Sequence, residues 1–247
     1  MFYSYLRNLL TVLLWAINGN IHYHDREKIL PKEENYILIS PHRTFWDPVF
    51  LGYAAAPKQF IFMAKKELFK DRGFGWWISK CGAFPIDREN PGTAAIKYPV
   101  KMLKKSDRSL VMFPSGSRHS NDVKGGVAVI AKTAKVKMMP ASYIGPLKIK
   151  GLAGERIDVA FGDPIDISDI KRLDDEGLAQ VAHRIETEFN RLDELNKSFQ
   201  AKKSSIPYWT LVYRLPILLV VGLVLGLTYL FSYLASFVWQ PKTDISE

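Results

Sequence analysis

The chain has 247 residues, 47% of them apolar and 24% charged, which suits one α/β domain with membrane elements and excludes both a disordered chain and a multi-span membrane protein. Its single cysteine, Cys81, excludes a disulfide framework and any cysteine-rich metal site. The net charge of +9 is uneven: residues 58–150 carry 19 basic and 6 acidic side chains, so an anionic partner is expected, whether nucleic acid, an anionic membrane surface or a phosphorylated substrate.

The first apolar run, Leu9 to Ile17 after Arg7, is too short to span a bilayer. Asn18-Gly19-Asn20 follows it where a signal peptide would need small residues. Trp15 with Tyr3, Tyr5 and Tyr23 suits a segment lying at headgroup level, so residues 1–30 are expected to form an N-terminal membrane-interfacial segment.

Residues 31–199 read as a soluble α/β domain. Short apolar strands are predicted at Tyr36–Ser40, Phe60–Ala64, Ala83–Ile86, Ser109–Phe113, Met138–Ile144 and Arg156–Phe161. Helices are predicted between them at Pro48–Ala56, Phe74–Cys81 and Thr93–Ser106, the last with a kink at Pro99. That alternation implies a mostly parallel central sheet flanked by helices, and Leu178–Leu195 reads as an amphipathic closing helix.

Residues 200–214 read as a linker, 215–238 as a transmembrane helix and 239–247 as a tail. The stretch Leu215–Val238 holds no charge and is long enough for a ~30 Å hydrocarbon core. Tyr208, Trp209 and Tyr213 before it and Trp239 after it sit where an aromatic belt lies, and Lys202, Lys203 and Arg214 precede it against Lys242 alone after it. The catalytic part is therefore expected on the cytoplasmic face of the cell membrane. No nucleic-acid module accompanies the basic block, so no nucleic-acid partner is expected.

Three strand ends carry candidate chemistry. Ser40-Pro41-His42-Arg43-Thr44-Phe45-Trp46-Asp47-Pro48 offers an imidazole with a carboxylate behind it, the unit that takes a proton from a hydroxyl. Spacing does not single it out, since His22 and His183 also have an acid five residues on, and Asp47 also reads as a helix N-cap before Pro48. Gly82-Ala83-Phe84-Pro85-Ile86-Asp87-Arg88 sets an arginine just past a strand with a carboxylate to steady it. Phe113-Pro114-Ser115-Gly116-Ser117-Arg118 repeats the arrangement, and two guanidinium forks suit bidentate capture of phosphate.

Together these blocks resemble the lysophosphatidic acid acyltransferases of glycerophospholipid synthesis, in the glycerolipid acyltransferase superfamily. The family's histidine, four residues and aspartate are matched by His42 and Asp47, and its Gly-x-x-Phe-x-x-Arg block is recognisable in Gly82, Phe84 and Arg88. Its Phe-Pro-Glu-Gly-Thr-Arg block is matched by Phe113–Arg118, and its apolar strand with proline by the segment around Pro140. The blocks stand in family order over roughly residues 35–165, and Phe62–Leu68 is similar in style. Ser115 and Ser117 depart from the family's glutamate and threonine. Serine can hydrogen-bond a hydroxyl or phosphate but cannot pair ionically with Arg88 or Arg118, so the departure bears on acceptor positioning and fine specificity.

The resemblance implies acyl transfer from an acyl-CoA or acyl carrier protein thioester to the sn-2 hydroxyl of lysophosphatidic acid, giving phosphatidic acid, with membrane lipids as surroundings. His42 would be the base, Asp47 its orienting carboxylate, and Arg88, Arg118 and Lys65 the phosphate holders. Ser115, Gly116 and Ser117 would position the acceptor. No metal and no cofactor is implied, because a thioester is already activated. The alternatives are an acyltransferase for glycerol-3-phosphate or another lysophospholipid, a membrane-anchored serine hydrolase, and a non-catalytic lipid-binding protein. The hydrolase lacks a Gly-x-Ser-x-Gly elbow around either serine.

Overall fold

Tyr36-Ile37-Leu38-Ile39 is apolar on both faces, a pattern that belongs in the middle of a sheet covered on both sides. The computed structural model describes residues 2–44, 47–87, 92–115, 125–146, 152–201 and 206–239. Its first half holds α1 (Phe2–Ile17), β1 (Ile21–His24), β2 (Ile37–Ile39), α2 (Asp47–Ala54), β3 (Gln59–Lys65), α3 (Arg72–Lys80) and β4 (Ala83–Ile86). α4 (Ala94–Lys105), β5 (Arg108–Met112), α5 (Gly126–Ala134), β6 (Met138–Ile144), β7 (Ile157–Phe161), α6 (Asp175–Gln200) and α7 (Leu211–Val238) follow.

The seven strands form one sheet in the order β1-β7-β6-β2-β5-β3-β4. From β6 to β4 every pairing is parallel: Ile37 faces Leu110 and Met138, and Lys65 faces Ile86. β7 enters antiparallel to β6, and β1 pairs parallel with β7. The expected mostly parallel sheet is thus present, and β2 is its fully buried centre.

Alternation along β2 sorts two cores. Ile37 and Ile39 meet Leu103 of α4, Val127 and Ile130 of α5 and Ile185 of α6. Tyr36 and Leu38 meet Leu14 of α1 and Phe50 and Leu51 of α2 on the opposite face. Each such side chain contributes about 1.5–3 kcal/mol by leaving water.

Two elements went unread in the sequence. α5 begins behind Gly125-Gly126 and carries β-branched residues, which favour strands; its place against α4 and the sheet decides for helix. β1 is four residues of alternating Ile-His-Tyr-His within the stretch assigned to the interfacial segment, and it is held by β7. There the buried Asp158 accepts from His24 Nε2 and from Arg156 Nε and Nη2, all at 2.8 Å, and from Gln200 Nε2 at 3.2 Å. Burial alone would raise the Asp158 carboxyl, but these donors outweigh it and hold it below the usual carboxylate range. Phe199 stacks on His24 at 3.7 Å, so the C-terminal end of α6 is tied to the sheet edge.

α6 is longer than its apolar stripe suggested. Asp174 accepts from Gly177 N at 3.0 Å as N-cap, and Asp175 and Glu176 fill the first turn, where a helix favours negative charge. α4 runs through Pro99. The C-terminal apolar helix is present and, by length and composition, long enough to cross a membrane; α1, at 16 residues, is a shorter apolar helix. α7 does not stand apart from the domain but packs against α1 and α3.

Candidate active site

The parallel strands β2, β3, β4, β5 and β6 all end at one edge of the sheet, and open α/β sheets bind ligands outside that carboxyl edge. His42 and Ser115 lie on neighbouring strand ends, each three residues beyond the register pair Ile39 and Met112. Lys65 closes β3 beside them, opposite Ile86 of β4. Arg88, Gly116, Ser117 and Arg118 lie outside the described residues.

His42 Nδ1 is 3.0 Å from Asp47 Oδ2. Asp47 is fully buried and its carboxylate turns back into the loop that carries His42: Oδ2 accepts from the backbone N–H of Arg43 at 2.6 Å and of Thr44 at 2.8 Å. Thr44 Oγ1 donates to Oδ1 at 2.5 Å. An oxygen surrounded by donors fixes the imidazole, since Nδ1 must carry the hydrogen and Nε2 is left as the acceptor. The ring lies on Phe113 at the end of β5, centroids 4.2 Å apart and planes 21° from parallel. The side chain keeps 13% exposure, enough for Nε2 to meet a substrate hydroxyl.

The N-cap reading of Asp47 is thereby refined: it stands at the start of α2, but its bonds brace the loop of residues 42–44. Arg43 extends the bracing, donating from Nη1 to Tyr143 O at 2.8 Å and from Nη2 to Asp193 of α6. Ser142 Oγ donates to the same carboxylate at 2.6 Å. Sequence reading missed Arg43, Thr44, Ser142 and Asp193. The first two lie inside the histidine block, and Asp193, far along the chain on an acidic helix, carries no local signal.

Lys65 is half-exposed with its ammonium 3.7 Å from Glu67, while Lys66 donates to Asp87 at 2.5 Å. Asp87, expected to steady Arg88, is thus the partner of a lysine. Ser115 is buried in the turn after Phe113. A cavity of about 390 Å³ lies at the opposite, amino edge, lined among others by Arg26, Lys32, Ala56 and Lys58. There Arg26 donates to Ala56 O at 3.3 Å and Lys58 Nζ to Lys32 O at 2.7 Å, so these cations serve the turn after α2 and not His42.

A family model described as acyltransferase matches residues 20–144. A 1-acyl-sn-glycerol-3-phosphate acyltransferase of Streptococcus pneumoniae is 62% identical, the match covering 100% of this chain and 94% of the relative. The protein of the same name from Bacillus subtilis is 36% identical over 78% of this chain and 100% of its own length. The crystal structure of the 1-acyl-sn-glycerophosphate (LPA) acyltransferase PlsC from Thermotoga maritima superposes with a TM-score of 0.58 over 80% of this chain and 81% of that one, at 21% identity, a likeness of fold. The chain therefore belongs to the acyltransferase family.

Proposed function

We propose that the protein is a 1-acylglycerol-3-phosphate acyltransferase, moving a fatty acyl group from an acyl-CoA or acyl carrier protein thioester to the sn-2 hydroxyl of lysophosphatidic acid, with phosphatidic acid as product. The observation that carries this reading is the end-to-end match to the pneumococcal relative of that name. The imidazole–carboxylate pair at the carboxyl edge supports it.

In this reading His42 Nε2 takes the proton of the hydroxyl as its oxygen attacks the thioester carbonyl. Asp47 stabilises the imidazolium that forms. The tetrahedral oxyanion is met by a backbone N–H near Gly116, and its collapse breaks the C–S bond while the proton passes from His42 to the departing thiolate. Arg88 and Arg118 grip the phosphate, with Lys65 assisting, and Ser115 and Ser117 direct the acceptor. The work is done at the cell membrane, with the catalytic domain on the cytoplasmic face.

Pairing each donor with lysophosphatidic acid and with glycerol-3-phosphate tests the acceptor. Turnover on glycerol-3-phosphate above that on lysophosphatidic acid overturns the assignment, and fatty acid release without any acceptor would mean a hydrolase. Arg88→Ala and Arg118→Ala should each weaken use of lysophosphatidic acid by about 1.5–3 kcal/mol, the range of a charge-assisted hydrogen bond. A monoacylglycerol acceptor, lacking phosphate, should feel no such penalty. Equal losses on both acceptors would make these arginines structural.

Direct transfer also predicts that Cys81 takes no acyl group. The residue keeps partial exposure, yet desolvation pushes its thiol up to about 12, against a smaller opposing pull from Arg108. At neutral pH the thiol therefore stays protonated, and the thiolate is the nucleophile. Cys81→Ser should keep most of the activity, and intact-mass spectrometry with donor alone should find no acyl adduct.

A further inference from the structure

α7 carries two unlike faces. One is docked and carries the helix's polar side chains: Arg214, Ser232 and Ser236 are buried on it together with Val221. Arg214 donates from Nε to Ala16 O at 3.0 Å and from Nη2 to Ile17 O at 2.5 Å, meeting the carbonyls that the C-terminal end of α1 leaves open. Further along, Thr228 Oγ1 lies 2.8 Å from Tyr5 OH. Against α3, a Cβ on Gly73 would come within 2.9 Å of Tyr229 OH, so glycine permits the close approach. At the far end Lys80 Nζ sits 3.3 Å from the centre of the Trp239 ring. Contact with α1 and α3 is thus made at both ends and between, over about 37 Å of helix.

The other face is apolar and open, with Val212, Leu219, Leu223, Leu227 and Phe231 each more than half exposed. Trp15 and Tyr5 of α1 extend it, and Trp209 and Trp239 bracket it. A soluble monomer rarely exposes an apolar face of this extent, and aromatic brackets of this kind suit a lipid interface.

The direction of α7 decides how lipid meets that face. The Arg214 end adjoins the close of α1, where Asn18 bonds Leu152 O and Ile21 pairs with Ile157 beside the carboxyl end of β6. The Trp239 end adjoins the close of α3, which leads into the start of β4. α7 therefore runs the height of the sheet, from the edge that holds His42 to the amino edge that holds Arg108 and Lys80. A docked α7 standing along the membrane normal would draw that charged edge to hydrocarbon depth, where each charge is costly.

We propose that α7 stays packed on α1 and α3 and lies in the plane of one leaflet of a phospholipid bilayer, its outer face in lipid and its tail on the same side as the active site. The proposal rests on the membrane placement given above and differs from a crossing helix in where the tail lies. The docked seam explains why an otherwise apolar helix carries a buried arginine and serines on one side. It also sets the His42 edge at the flank of the embedded face, where a lysolipid can move from the leaflet to the base without leaving the interface.

The test uses the full chain in a Cys81→Ser background with one new thiol, Ser246→Cys in the tail or Glu33→Cys on the exposed loop before β2. Right-side-out and inverted membrane vesicles are treated with an impermeant maleimide. Both thiols should label in inverted vesicles and stay unlabelled in right-side-out ones until lysis. Labelling of the two on opposite sides overturns the in-plane helix while leaving the membrane reading intact. Recovery of the active protein in the soluble fraction overturns the membrane reading and the in-plane helix with it. Retained acyl transfer by both variants certifies that the labelled protein is folded.

Discussion

His42→Ala is expected to lower turnover about 10²–10⁴-fold, the usual worth of a positioned general base. The loop should survive the change, because Asp47 keeps three other donors, the N–H groups of Arg43 and Thr44 and the Thr44 hydroxyl. The variant should therefore melt close to the parent while losing kcat at saturating donor and lysophosphatidic acid. A second histidine–carboxylate contact supplies the control. His24 also bonds a buried aspartate, Asp158, but Arg156 already neutralises that carboxylate and the pair stands at the outer sheet edge. His24→Ala should cost stability through the lost stacking on Phe199 and leave kcat nearly unchanged. Near-normal turnover in folded His42→Ala protein, or equal losses in the two variants, would end the proposed mechanism.

The fold was largely legible where burial imposes a pattern. β2 and β6 were read to within a residue or so, because burial on both faces turns a strand into a short continuous apolar run. β1 was not, because four residues alternating apolar with histidine make too short a signal, and what holds His24 is an aspartate more than a hundred residues away. α5 was missed because its local preference and its packed state disagree. At the site, the ordered blocks pointed to His42 and Asp47, but spacing alone gave His22 and His183 equal standing. What separates them is geometry: a buried acceptor, the Phe113 ring beneath the imidazole, and a strand end on the open edge. The bracing by Arg43 and Asp193 had no local mark, since it joins a loop to a helix brought alongside only by folding. The seam on α7 was written in Arg214, Thr228, Ser232 and Ser236, but a hydropathy average over the helix hides it.

Asp47→Asn should also cost about 10²–10⁴ in turnover, and comparison with Asp47→Ala separates the carboxylate's chemistry from its bracing. Among the described residues, Oδ2 receives three donors, His42 Nδ1, Arg43 N and Thr44 N, whereas Oδ1 receives the Thr44 hydroxyl. An asparagine amide has one orientation that fits, with its oxygen toward the three N–H groups and its NH₂ toward Thr44, whose hydroxyl can rotate to accept. The loop and the imidazole tautomer then persist, but the negative charge that stabilises the imidazolium is gone. Asp47→Asn should accordingly unfold close to the parent temperature and still be crippled. Asp47→Ala instead leaves the N–H groups of Arg43 and Thr44 without their acceptor, at about 1–3 kcal/mol each. It should lose both activity and about 2–6 kcal/mol of stability, read from denaturant midpoints at unchanged slope. Full activity in Asp47→Asn would reduce the carboxylate to a latch for the loop of residues 42–44. A stable but inactive Asp47→Asn beside an unstable Asp47→Ala would assign Asp47 both tasks: its charge serves the reaction, and the acceptors of the same group hold the histidine where the reaction needs it.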